Sequence, residues 1–302
     1  MKEMIVLQVT IFGIMALGFF LKKRKIVSDR GQREITDLVI DIVLPANIIT
    51  SFLSKFDGDV LKDCIVIALI SLAIQLMSLV YGKVFFRKES EDRFKCLAYG
   101  IICSNAGFLG NPVAEGVFGS VGLMLASVYL IPQRIMMWSE GLAIFSGEAD
   151  RKGTLKKVVT HPCVLACFIG ILLMVTQFSL PSVILTPLQT VGRCNTALSM
   201  MVIGMILADI DLKTLADKTV IIYTVHRLLI IPLIVWGVLN LLPVSQLVRG
   251  VSVLLAAMPA GATTSMLAAK YDRDPAFATK LVVFSTLCSI PAIMAWSFIL
   301  AL

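Results

Sequence analysis

Ten apolar stretches joined by short polar connections make up most of the chain: residues 5–21, 35–53, 64–86, 94–118, 121–145, 164–178, 183–210, 220–242, 247–269 and 276–302. A helix needs about twenty apolar residues to cross a hydrocarbon layer. The pattern therefore predicts an all-α polytopic membrane protein with ten transmembrane helices. Two of these are interrupted. The fourth contains SNAGFLGNPVAEGVFG at residues 104–119, with four glycines, two asparagines, a proline and a glutamate. Pro112 has no N–H to donate and its ring collides with the preceding turn, so the helix is expected to break there, with Asn111 capping a new start. The ninth contains AAMPAGATTSMLAAKYD, where Pro259 and Gly261 predict a second break.

Basic residues crowd alternate connections: 22–33, 83–95, 151–157, Lys213 with Lys218, and Lys270 with Arg273 and Lys280. The intervening connections hold only Lys55, Lys62 and Arg249. By the positive-inside rule the crowded connections are cytoplasmic and both termini lie outside a plasma or inner membrane. The first apolar run ends in Lys22, Lys23, Arg24 and Lys25 without a small-residue cleavage site, and reads as a retained span rather than a leader. Five spans followed by five, an odd number in each half, give two inverted five-helix repeats, 1–150 and 151–302, linked through the short polar stretch 146–160. FDGDVLKD after the second span and ADIDLKTLAD after the seventh echo one another. Matching interrupted helices in two inverted halves mark the binding site of a transporter.

Composition narrows the class further. With 58% hydrophobic residues, 16% charged and a mean hydropathy of +0.90, the chain lies outside the range of soluble domains. Its net charge of +7 sits in the connections, where it reports orientation and not nucleic-acid binding. Seven cysteines lack the paired spacing of zinc or redox sites, and Cys163 with Cys167 reads as small packing residues on one helix face. No HExxH, phosphate-binding glycine loop or GxSxG elbow occurs, so neither an enzyme nor a cofactor or metal is implied.

The chain resembles the auxin efflux carrier family, which includes plant PIN-type carriers and bacterial organic-acid permeases. NAGFLGNP at 105–112 is similar to the family's crossover in helix four, and MPAGATTSMLAAKYDRDP at 258–275 to that in helix nine. LPANIITSF resembles helix two, HPCVLACFIGILL the entry to helix six, and TALSMMVIGMILAD helix seven. Two departures stand out: Ala197 replaces the usual proline of helix seven, and His161 the asparagine before the proline of helix six. The resemblance implies the fold of sodium/proton antiporters and bile-acid symporters. In it helices 1, 2, 6 and 7 form a scaffold and homodimer surface, while helices 3–5 and 8–10 form a moving crossover domain.

In that arrangement both second half-helices begin near the midplane. A helix N-terminus carries about half a positive charge, so two aimed at one point favour an anion. Asn105, Thr263, Thr264 and Ser265 lie nearest the breaks, and two roles are open to them: satisfying freed backbone groups or touching substrate. If the resemblance holds, Asn47, Thr196 and Ser199 face this centre from the scaffold. Arg134, too central to snorkel, is either a structural tie or a counter-charge to substrate. Arg193 and Arg227 either snorkel or bind helix C-terminal carbonyls, and Arg227 lies at a depth where it can pair with Asp41. Asp41, if buried and unpaired, can carry a proton. Glu115 reads as a carboxylate favoured by the helix dipole near the outer surface. The expected function is a secondary carrier of a small organic anion, coupled to protons or sodium if coupled at all. The competing reading is a non-transporting receptor that uses the same pocket.

Overall fold

The computed structural model describes residues 2–53, 58–146, 159–208, 215 and 217–301. They form helices joined by turns, with no strand among the described residues and one isolated antiparallel bridge. Five helical stretches among them are long and apolar enough to cross a membrane: 59–85, 106–137, 182–208, 218–240 and 275–300. Two shorter helices, Pro162–Thr176 and Gln246–Ala256, are also apolar. The linker at 147–158, with the repeat boundary at 150, lies outside the described residues, as does most of ADIDLKTLAD.

Side-chain placement on Gly58–Phe85 reads as a membrane helix should. Ile65, Leu69, Leu72, Leu76, Val80 and Val84, three or four residues apart, are exposed, while Ser71, Gln75 and Ser78 are buried. Apolar groups face outward and polar groups turn inward. The Ser71 hydroxyl, for example, donates to the Tyr129 carbonyl at 2.6 Å.

The chain divides into two compact units. One comprises Met1–Cys64, Phe108–Val128 and Val159–Ile210; the other comprises Ile65–Gly107, Tyr129–Val158 and Asp211–Leu302. In order, the helices are α1 (Lys2–Lys23), α2 (Asp29–Leu38), α3 (Leu44–Ser51), α4 (Gly58–Phe85), α5 (Glu91–Ile102), α6 (Asn111–Trp138), α7 (Glu140–Ser146), α8 (Pro162–Thr176), α9 (Ser182–Gly192), α10 (Asn195–Ala208), α11 (Lys218–Val225), α12 (Ile231–Asn240), α13 (Gln246–Ala256), α14 (Thr263–Lys270) and α15 (Pro275–Ala301).

In the first unit α1 packs along α10, and α3 against α8 and α9. A Cβ on Gly204 would fall 1.9 Å from the Met15 carbonyl oxygen, and one on Gly18 2.1 Å from that of Met201. Only glycine allows helices so close, a common device where lipid gives no hydrophobic drive to association. His161 caps α8, its Nδ1 accepting the Cys163 N–H at 3.2 Å, the same service an asparagine would give there.

The core of the second unit contains Tyr81, Leu97, Tyr99, Phe145, Tyr223, Phe277 and Leu281. At one end Arg93 pairs with Asp217 at 3.4 Å and Asp274 at 3.7 Å and lies over the Phe277 ring, while Arg273 pairs with Asp92 at 3.1 Å. Asp274 also caps α15, accepting from the Phe277 N–H at 3.0 Å just before Pro275 opens the helix.

Three prolines are accommodated in one way. The π turns Val39–Val43, Ala106–Gly110 and His226–Ile230 each end two residues before a proline: Pro45, Pro112 and Pro232. A wider turn relieves the clash of the proline ring with the carbonyl four residues back. This corrects the expectation of a break at Asn111 and Pro112, because the widened turn carries the helix straight into α6. The true interruption lies earlier, at residues 103–105 between α5 and that turn. Farther along, α6 is kinked at Gly119, whose φ of 70° and ψ of −163° only glycine adopts without strain. Expected spans four and five meet at that point.

Candidate functional site

Within the second unit, the interruption after α5 crosses the one after α13. Ser104 and Ala260 form the antiparallel bridge; the Asn105 N–H donates to the Pro259 carbonyl at 2.8 Å and the Gly261 N–H to the Cys103 carbonyl at 2.9 Å. Gly261 suits this close approach, since a Cβ there would sit 3.2 Å from the Cys103 oxygen and 3.3 Å from its sulfur, tighter than most side chains pack.

An extended backbone inside a membrane must find partners for every freed group. Gln133 supplies one set: its Nε2 donates to the Ser104 carbonyl at 2.8 Å, and its Oε1 accepts from the Ser104 hydroxyl at 3.2 Å. The Ala260 N–H donates to Ser285 Oγ at 3.2 Å. Arg227, buried on the π turn between α11 and α12, donates from Nε to the Met258 carbonyl at 2.9 Å and from Nη1 to that of Ile101 at 3.1 Å. Its charge thus sits at the negative ends of α5 and α13, the carbonyl-binding role open to it from sequence.

Arg134 differs. It is buried, its Nη2 lies 3.9 Å from where a Cβ of Gly107 would stand, and its Nη1 has no hydrogen-bond partner among the described residues. Thr264 is fully buried and its hydroxyl is likewise unpartnered among them. The Thr263 hydroxyl meets Cys103 Sγ at 3.1 Å, and the Ser265 hydroxyl donates to the Ala262 carbonyl at 2.9 Å. The fold therefore gathers Asn105, Arg134, Pro259, Gly261, Thr263 and Thr264 in one unit.

The remaining expected residues belong to the other unit. Asn47 is buried on α3, and its Nδ2 donates to Glu115 Oε2 at 2.9 Å. Ser199 donates to Asn195 Oδ1 at 3.2 Å, and Thr196 is half-buried beside it on α10. Asn111 is fully buried with both amide atoms unpartnered among the described residues, so it does not serve as the expected cap. Asp41, whose proton-carrying role is conditional on burial, is exposed on the π turn ahead of α3. Glu115, expected near the surface, is the half-buried carboxylate instead.

Gln133, Ser285 and the Asn47–Glu115 pair were not singled out by sequence reasoning. Gln133 stood beside Arg134 in an apolar run, and that doublet was a signal for it. Nothing comparable marked Ser285, one hydroxyl among several on α15.

Residues 4–297 match the profile of a family described as membrane transport protein. An uncharacterized transporter of Methanothermobacter thermautotrophicus is 29% identical over 298 residues, covering 96% of each chain. An uncharacterized transporter of Methanocaldococcus jannaschii is 26% identical over 300 residues, covering 95% of this chain and 96% of its own.

Proposed function

Because the chain belongs to this membrane transport protein family, the auxin efflux carriers, we propose that it is a secondary carrier of a small organic anion that works by alternating access. The observation that carries the substrate class is Arg134: a buried guanidinium with a free donor, held beside Gly107 where the helix resumes after the crossing. A buried guanidinium donor left unpartnered among the described residues suits an anion, and the dipoles of the two resuming helices act in the same sense.

The arrangement proposed is ten spans in two inverted five-helix repeats, with helices 1, 2, 6 and 7 as a dimeric scaffold and the others as the moving domain. The paired interruptions after α5 and α13 support the repeat. The ion pairs that join Arg93, Asp217 and Asp274 support the topology, since these residues come from three connections assigned to the same, cytoplasmic face.

The test is a thermal-shift screen of the purified protein with malate, malonate and indole-3-acetate, followed by transport of the best ligand into liposomes. Stabilisation by at least one carboxylate, followed by its uptake, is expected. Stabilisation by cations or neutral amines alone overturns the reading.

A further inference from the structure

The first unit contains a cavity of about 210 Å³ lined by Asn47, Thr50, Ser51, Glu115, Ser120, Gln189 and Arg193. Its chemistry is unlike the apolar surface around it. The cavity brings together a carboxylate from α6 and a guanidinium from the end of α9, and neither forms an ion pair among the described residues. Glu115 receives one hydrogen bond, from Asn47, at Oε2. The hydroxyls of Thr50 and Ser51 donate to the Asn47 and Ile48 carbonyls of their own helix and so offer Glu115 no further donor. Arg193 reaches the rim because Gly192 lets α9 approach α3; a Cβ there would stand 3.0 Å from Asn47 Cα.

We propose that this pocket binds a proton and an organic carboxylate together, the proton on Glu115 and the carboxylate on Arg193. The inference rests on the anion-carrier reading above. With Glu115 ionised, the two charges cancel and the pocket offers a monoanion no net attraction. Proton uptake by Glu115 leaves Arg193 as the one charged group among the lining residues, since α3 and the remaining lining positions of α6 and α9 contribute only amides and hydroxyls. Anion binding and protonation then favour each other, and linkage makes the effect equal in both directions. The cavity holds a small carboxylate with some of its water.

The test is calorimetric titration of the detergent-solubilised protein with malonate, malate and indole-3-acetate, at neutral pH, in two buffers that differ in ionisation enthalpy. The difference in apparent heat counts the protons taken up. About one proton per anion is expected for the wild type, with affinity falling up to about tenfold per pH unit in the alkaline direction. Glu115→Gln, which mimics the protonated carboxyl, should bind without proton uptake and with nearly flat pH dependence, and Glu115→Asp should restore both. Arg193→Gln should weaken binding about tenfold or more at every pH. Wild-type binding without proton uptake, or uptake retained in Glu115→Gln, overturns the proposal and leaves the anion reading standing. No binding of any of the three acids removes that reading, and the proposal with it. Should Glu115→Gln fail to fold, Asn47→Leu decides. It removes the donor that favours the ionised carboxylate, so the pH midpoint of binding must move up, and an unmoved or lowered midpoint overturns the proposal.

Discussion

Arg227 and Arg134 are both buried in the second unit, yet their surroundings give them opposite tasks. Arg227 satisfies two carbonyls at the ends of broken helices. Arg227→Met should leave both unpartnered and lower stability by about 3 kcal/mol, read from unfolding in detergent. Arg134 has a donor without a partner among the described residues, so Arg134→Gln should hold stability within about 1 kcal/mol of wild type and reduce, without abolishing, stabilisation by organic acids. Asn105→Ala should likewise weaken binding with little loss of fold, because what Asn105 gives the crossing is its backbone N–H, which alanine keeps. Lys95 and Lys22 hold the exposed carboxyls of Glu91 and Asp29 below the usual range by hydrogen bond and charge. A lowered carboxylate pKa stabilises above the unfolded value, about 4, and that contribution is lost only as pH falls below it. These pairs therefore add no pH dependence near neutrality, and any found in binding there has another source.

At the scale of elements, backbone shape is set by glycines and prolines whose neighbours explain them. Gly204→Leu should separate α1 from α10 and prevent stable folding, since even its Cβ would collide with the Met15 carbonyl. Asp274→Ala removes the cap of α15 and one partner of Arg93, and should cost about 1–2 kcal/mol in the same unfolding measurement. Pro112→Ala tests the π turn. A normal helical turn becomes available once the ring is gone, so stability should be kept or rise slightly while transport falls through the altered path of residues 106–110.

For the whole molecule, the ion pairs among Arg93, Asp217, Asp274, Arg273 and Asp92 tie together connections far apart in sequence. On the proposed topology, a cysteine introduced at Lys88 should react with an impermeant thiol reagent only from the cytoplasmic side, and one at Arg249 only from the outside. Labelling of both from one side would refute that orientation. Membership of the family and the all-helical character were legible in the apolar runs and the five motif stretches. The position of the interruption was not. Pro112 announces a disturbance, but whether a helix breaks at a proline or widens ahead of it depends on what the freed backbone can bond to. Here the partners, Pro259 and Gly261 from α13–α14 and Gln133 from α6, wait at residues 103–105.

By itself the sequence determined that the chain is helical and membrane-embedded, that its fourth and ninth apolar stretches are disrupted, and that Arg134 and Arg227 stand within apolar runs. All three follow from local composition, which the solubility of side chains and the stereochemistry of proline and glycine make readable one segment at a time. Only the tertiary structure decided which buried arginine is satisfied and which is not, that Glu115 rather than Asp41 is the sheltered carboxylate, and that Asn47 binds it. Those facts depend on distances between residues up to 126 positions apart, as with Arg227 and Ile101. No pattern along the chain encodes such a distance until the helices have packed.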